Sequence, residues 1–156
     1  MLVLCLALGI TLVDQLTKYL VWRNMLVGEA KVVVPGLFSL RFVQNTGAAW
    51  GMLSGFGSWL VLLSVLMLIL ILAFRKAFLA DTLVHRIALG LMIAGIVGNL
   101  VDRIRLGYVV DFLDFYLGQH HFPAFNVADS AICVGVGLYL CSRHARNESR
   151  PGMSGS

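Results

Sequence analysis

WLVLLSVLMLILILAF, residues 59–74, is apolar along its whole length apart from the hydroxyl of Ser64. A helix crossing a bilayer needs about 20 mostly apolar residues at 1.5 Å each. Extended back to Gly57, this run predicts a spanning helix over Gly57–Phe74. Working outward, three more stretches come near the same length and composition: Met1–Trp22, Leu83–Val101 and Ala124–Leu140. Of the 156 residues, 59% are hydrophobic and only 13% charged. A soluble domain carries about a quarter charged residues, so this chain lacks the polar groups to cover a globular surface. The expected fold is an all-α membrane protein: four transmembrane helices in one domain over 1–142, with a polar tail over 143–156. The opening MLVLCLALG lacks the basic lead and small-residue cleavage site of a signal peptide and reads as a retained span.

Between the first two spans lies KVVVPGLFSLRFV, residues 31–43. Its Val, Leu and Phe content and the Pro35-Gly36 turn signal predict two short strands. They are more apolar than a solvated hairpin needs, so they are expected to lie on the membrane surface or to cover a site. The net charge of +4 is spread thinly. No basic block is interleaved with aromatics, which argues against nucleic-acid binding. Cys5, Cys133 and Cys141 sit in apolar runs at no metal-ligand spacing and read as inert, membrane-buried thiols.

Against this background the polar residues stand out. Asp111 in GYVVDFLDF (107–115) and Asp129 in FPAFNVADS (122–130) each lie in apolar surroundings. A carboxylate at membrane depth is costly and points to function. Two carboxylates held close cannot both ionise easily, so one keeps its proton near neutrality. Such a pair can run acid–base hydrolysis. Either residue alone fits a helix cap or an arginine partner equally well. On one continuous helix the two would stand about 27 Å apart, so segment 112–123, broken by Pro123, must fold back.

Asp14 and Lys18 share a helix face at i,i+4 in DQLTK, as an internal ion pair or as part of a site. Asn99 and Arg103 do the same in GNLVDR, and Arg103 can fork onto a carboxylate or a lipid phosphate. Asn126 can orient Asp129 at i,i+3. With four spans, these residues and Asn45 all fall on the side of the membrane opposite the termini. The short loop RKAFLADTLVHR (75–86) carries Arg75, Lys76 and Arg86 on the terminal side, which puts the termini in the cytoplasm. Tyr19, Trp22, Trp50, Trp59, Tyr108 and Tyr116 read as an aromatic girdle at the outer interface. His120-His121 reads as a solvated loop tip, Asp114 as a loop carboxylate, and Ser130 lacks a partner for a nucleophile. NTGAAWG (45–51) lacks the end of a phosphate loop.

A proton-coupled carrier could use the same acids as a relay. It would need polar residues through both leaflets, and Leu2–Leu12 and Leu62–Ala73 are almost wholly apolar. A metal-dependent transferase would gather more carboxylates at helical spacing. A purely structural subunit leaves the one-sided polar cluster without a purpose.

DQLTK (14–18), NTGAAWG, GNLVDR (98–103), GYVVDF (107–112) and FPAFNVADS occur in the order seen in bacterial lipoprotein signal peptidases, the signal peptidase II family. The resemblance spans Asp14 to Ser130. Trp50 stands where that family more often carries phenylalanine. The resemblance implies a four-helix aspartyl peptidase of the bacterial cytoplasmic (inner) membrane, with an extracytoplasmic β-strand cradle and no metal or other cofactor. It implies that Asp111 and Asp129 are the catalytic dyad. Asp14, Asn45, Asn99, Arg103 and Asn126 match the family's supporting polar positions. The substrate it implies is a prolipoprotein bearing a diacylglyceryl cysteine, approached from membrane lipid and cut just before that cysteine.

Overall fold

The structure, a computed structural model, describes residues 1–47, 57–75 and 82–148. Among these, α1 spans Leu2–Asn24, α2 Gly57–Ala73, α3 Leu83–Leu106 and α4 Val127–Glu148. Four strands accompany them: β1 Ala30–Val34, β2 Phe38–Asn45, β3 Val109–Leu117 and β4 His120–His121. Trp50, Lys76, Arg150 and most of NTGAAWG lie outside the described residues.

The helices are turned inside out relative to a soluble bundle. On α1, Leu4, Leu8, Leu12, Leu16 and Leu20 form an exposed stripe at i,i+4, while Asp14 and Lys18 are buried. On α2, Leu60 is the buried residue, and apolar side chains around the helix are bare. A helix apolar on every side belongs in a protein core or in lipid, and α2 has little protein around it. By length and composition α1 and α3 are each sufficient to cross a bilayer, and α2 is a shorter apolar helix. α3 is the central helix, packed on α4, α1 and α2. It starts at a Thr82 cap whose hydroxyl accepts the His85 N–H at 3.3 Å. It runs five residues beyond the predicted end at Val101 because no breaker intervenes before Gly107. There a φ of 79° closes the helix in the left-handed region that glycine tolerates.

The strands form one antiparallel sheet in the order β1-β2-β3-β4. The predicted hairpin over 31–43 is β1 and β2, turning at Gly36 with φ 79°. The four helices and a strand cradle are present as expected, and β3 and β4 enlarge the cradle to four strands. In β3, Val109, Asp111, Leu113 and Phe115 face one way, and Val110, Phe112, Asp114 and Tyr116 the other. Each face is apolar with one acid in it, so no polar–apolar alternation marked the strand. Val110 and Phe112 pack with Phe42 of β2 on Val21 and Met25, seating the sheet on the end of α1.

The fourth span also moves. α4 begins at Val127 rather than Ala124, because residues 122–125 still follow β3: Phe125 donates to the Leu113 carbonyl at 3.1 Å. It continues to Glu148, past the predicted end at Leu140 and into the expected polar tail. No glycine or proline interrupts 138–148, and the basic residues there suit a helix C-terminus. The three cysteines are free and lie on outward faces of α1 and α4, exposed rather than buried in protein.

Candidate active site

Asp111 leaves β3 immediately after the Gly107 turn, and Asp129 sits in the first turn of α4. The hairpin of β3 and β4, turning at Gly118, supplies the fold-back that the spacing demanded. Asn126 joins the two acids. Its Nδ2 donates to Asp111 Oδ1 at 2.7 Å and to Asn99 Oδ1 at 3.1 Å. Asn99 Nδ2 in turn donates to Asp129 Oδ1 at 2.7 Å. Asn45 Nδ2 donates to the other Asp111 oxygen at 2.8 Å. Asp111 is 2% exposed, and Asp129 is half-buried. Burial pushes the Asp111 carboxyl up to about 7, with the nearby Asp129 charge adding to the effect and the two amides opposing it.

Asp129 is also a helix cap. Asn126 Oδ1 accepts the Asp129 N–H at 2.9 Å, and Asp129 Oδ2 accepts the Asn126 N–H at 3.3 Å. This reciprocal pair is a capping box. It locks the carboxylate at the positive end of α4, where a negative charge is favoured. Capping a helix and belonging to the site are both true of this residue.

Beneath the pair, Lys18 is buried at 2% exposure. Its ammonium meets Asp14 at 2.9 Å, Asp102 at 3.0 Å and Asn99 Oδ1 at 2.9 Å. Asp14 also accepts the Ala128 N–H of α4 at 2.8 Å, and Asp102 accepts the Val110 N–H of β3 at 3.1 Å. One lysine thus ties down the two elements that carry the acids. Arg103 is half-buried, donates to the Gly47 carbonyl at 3.4 Å, and its charge acts on Asp129 and Asp111.

All eight residues singled out from the sequence therefore gather around one place. Two more residues join them. Asp102 lies in GNLVDR, and its place at i,i+3 from Asn99 was the available signal. Gln15 reaches Asp102 Oδ1 at 2.9 Å and the Gly98 carbonyl at 3.1 Å, with no spacing to mark it. Asp114 and His121 are corrected. Asp114 is buried in β3, not a loop acid; His120 and His121 are exposed as expected, but they form β4, and His121 Nδ1 lies 2.8 Å from Asp114. Tyr116 accepts the Gly36 N–H at 3.2 Å and so holds the β1–β2 turn.

Bare apolar helices around one buried and one half-buried carboxylate are the arrangement a membrane-embedded peptidase of the aspartic class needs. Residues 6–144 match the family described as Signal peptidase (SPase) II. The chain belongs to the signal peptidase II family. It is 47% identical over 142 residues to the lipoprotein signal peptidase of Geobacter metallireducens, covering 88% of this chain and 86% of that one. With the lipoprotein signal peptidase of Syntrophotalea carbinolica the identity is 43% over 143 residues, covering 90% and 89%. A solved bacterial membrane enzyme, determined by the in meso method at 2.3 Å, matches with a TM-score of 0.86 at 32% identity. That match covers 99% of this chain and 94% of the other.

Proposed function

We propose that Asp111 and Asp129 are the catalytic dyad with which this chain cleaves diacylglyceryl-modified prolipoproteins just before the lipid-bearing cysteine. Removal of signal peptides from prolipoproteins is the activity of its family. The observation that carries the assignment is the amide bridge from Asp111 through Asn126 and Asn99 to Asp129. Two carboxylates from separate elements are held by linked amides, Asn126 on Asp111 and Asn99 on Asp129, and burial raises the Asp111 carboxyl to about 7.

In the first step Asp129 takes a proton from a water molecule as its oxygen attacks the scissile carbonyl. Asp111 gives its proton to the carbonyl oxygen. As the tetrahedral intermediate collapses, Asp129 passes its proton to the departing amine and Asp111 recovers one from the hydroxyl. Asn45 and Asn126 hold Asp111 in register, and Asn99 holds Asp129. Lys18 and Asp14 brace the frame, and Arg103 positions the substrate backbone or headgroup. The four helices cross the bacterial cytoplasmic membrane with both termini inside and the dyad at the outer boundary. A substrate with two acyl chains then reaches the dyad sideways from lipid.

The test uses purified protein and a diacylated lipoprotein precursor, with chelator present. Signal-peptide release is expected from the parent chain and not from Asp111→Asn or Asp129→Asn, both still folded. Full activity in either variant removes the dyad.

A further inference from the structure

Asp114 lies three residues beyond Asp111 on β3 and so faces the opposite side of the sheet. Ser39 of β2 is directly across from it, and His121 of β4 pairs with Tyr116 one step along the same face. The carboxylate is 2% exposed. Ser39 Oγ donates to Oδ2 at 2.9 Å. His121 Nδ1 lies 2.8 and 3.0 Å from the two oxygens, and with a carboxylate opposite it this nitrogen carries the proton and donates. The imidazole also stacks on Tyr116, with ring centres 5.0 Å apart. One buried carboxylate therefore joins β2, β3 and β4. A carboxyl group at this depth needs such partners to offset its lost hydration.

The residues immediately after His121 give the pairing its consequence. The Phe122 N–H donates to Phe115 O at 2.8 Å, and Phe125 exchanges hydrogen bonds with Leu113 at 3.1 and 2.8 Å. This return segment ends at Asn126, whose amide reaches Asp111. The Asp114–His121 bond stands at the start of the segment and Asn126 at its end. A misplacement of about 1 Å at a reacting group costs on the order of 100-fold in rate.

We propose that Asp114 and His121 are positioning residues for the peptidase reaction, their bond fixing the segment that carries Asn126 to Asp111. The inference rests on Asp111 being a catalytic carboxylate. Facing away from Asp111, the pair acts on turnover and not on substrate affinity.

The test compares two variants of the full chain on a diacylated precursor. His121→Phe keeps a ring on Tyr116 and removes the donor. His121→Asn removes the ring and keeps an N–H close to the position of Nδ1. His121→Phe is expected to lower kcat about tenfold or more with KM within about twofold. His121→Asn is expected to recover most of kcat, and Asp114→Asn added to His121→Phe to cause no further loss. Wild-type kcat in His121→Phe, a loss in His121→Asn alone, or a rise in KM at constant kcat each overturn the proposal. Should His121→Phe fail to fold, kcat of His121→Asn decides: near wild type supports the pair, a tenfold fall refutes it. Asp111→Asn runs in parallel. Activity retained there removes the dyad, whatever the His121 variants do.

Discussion

An ammonium buried as deeply as that of Lys18 survives because two carboxylates and an amide oxygen surround it. Removing one partner of such a cluster leaves uncompensated charge in a low dielectric. Lys18→Met is therefore expected to lose about 3–5 kcal/mol of stability, measured as thermal unfolding in detergent, together with signal-peptide release. An unchanged melting curve would mean that Asp14 and Asp102 do not depend on the lysine. Asp111 makes a second expectation. Its carboxyl is raised from 3.8 to about 7 by burial and by Asp129. The stability its protonated form confers is complete below the unfolded value and is lost as pH rises through about 7. The acid step needs that same proton, so kcat/KM is expected to fall about tenfold per pH unit above 7. A profile flat to pH 9 would assign the proton elsewhere. The i,i+4 and i,i+3 spacings made Asp14, Lys18, Asn99, Arg103, Asn126 and Asp129 legible, because a helix converts spacing into a shared face. Asp114 and His121 were not legible, since their meeting depends on strand register, which local spacing does not carry.

At the scale of elements, the site depends on how closely α3 lies against α1 and α4. A Cβ on Gly98 would stand 2.6 Å from Asp14 Oδ2 and 3.1 Å from the Ala128 side chain. Both neighbours are fixed, Asp14 by Lys18 and Ala128 by the first turn of α4. Gly98→Ala is expected to cost about 1–3 kcal/mol through overpacking. It should also slow cleavage, because relief of the clash moves Asp129. A variant with parent melting temperature and parent rate would show that α3 and α4 have room to part. The helices themselves were readable from apolar length, with ends in error where the breaker lay further on, as at Gly107. Strand β3 was hidden for the opposite reason. It is apolar on both faces, and its two acids drew attention as chemistry before they could be read as strand positions.

For the whole molecule, the governing fact is that polarity points inward. Asp14, Lys18, Asn99, Asp102 and Asn126 are buried while the leucines of α1 and most of α2, apart from its Leu60 side, are bare. In water this arrangement would expose a large apolar surface and hide its charges at a loss. In lipid both costs reverse, because the hydrocarbon covers the leucines and the polar groups satisfy one another. The number of crossings then fixes the relation of the ends. In the four-span topology proposed above, both ends of the chain would share one side, with β1–β4 and both aspartates on the other. By the positive-inside rule, Arg75, Lys76 and Arg86 in a short loop would put that side in the cytoplasm, as proposed above. A reporter that works only in the cytoplasm, fused after Ser156, is expected to be active. One that works only outside, inserted at the Pro35-Gly36 turn, is expected to be active as well. Activity of the outer reporter at Ser156 would reverse the orientation. Activity of the same reporter type at both sites would require an odd number of crossings, and the dyad could then no longer lie opposite both termini.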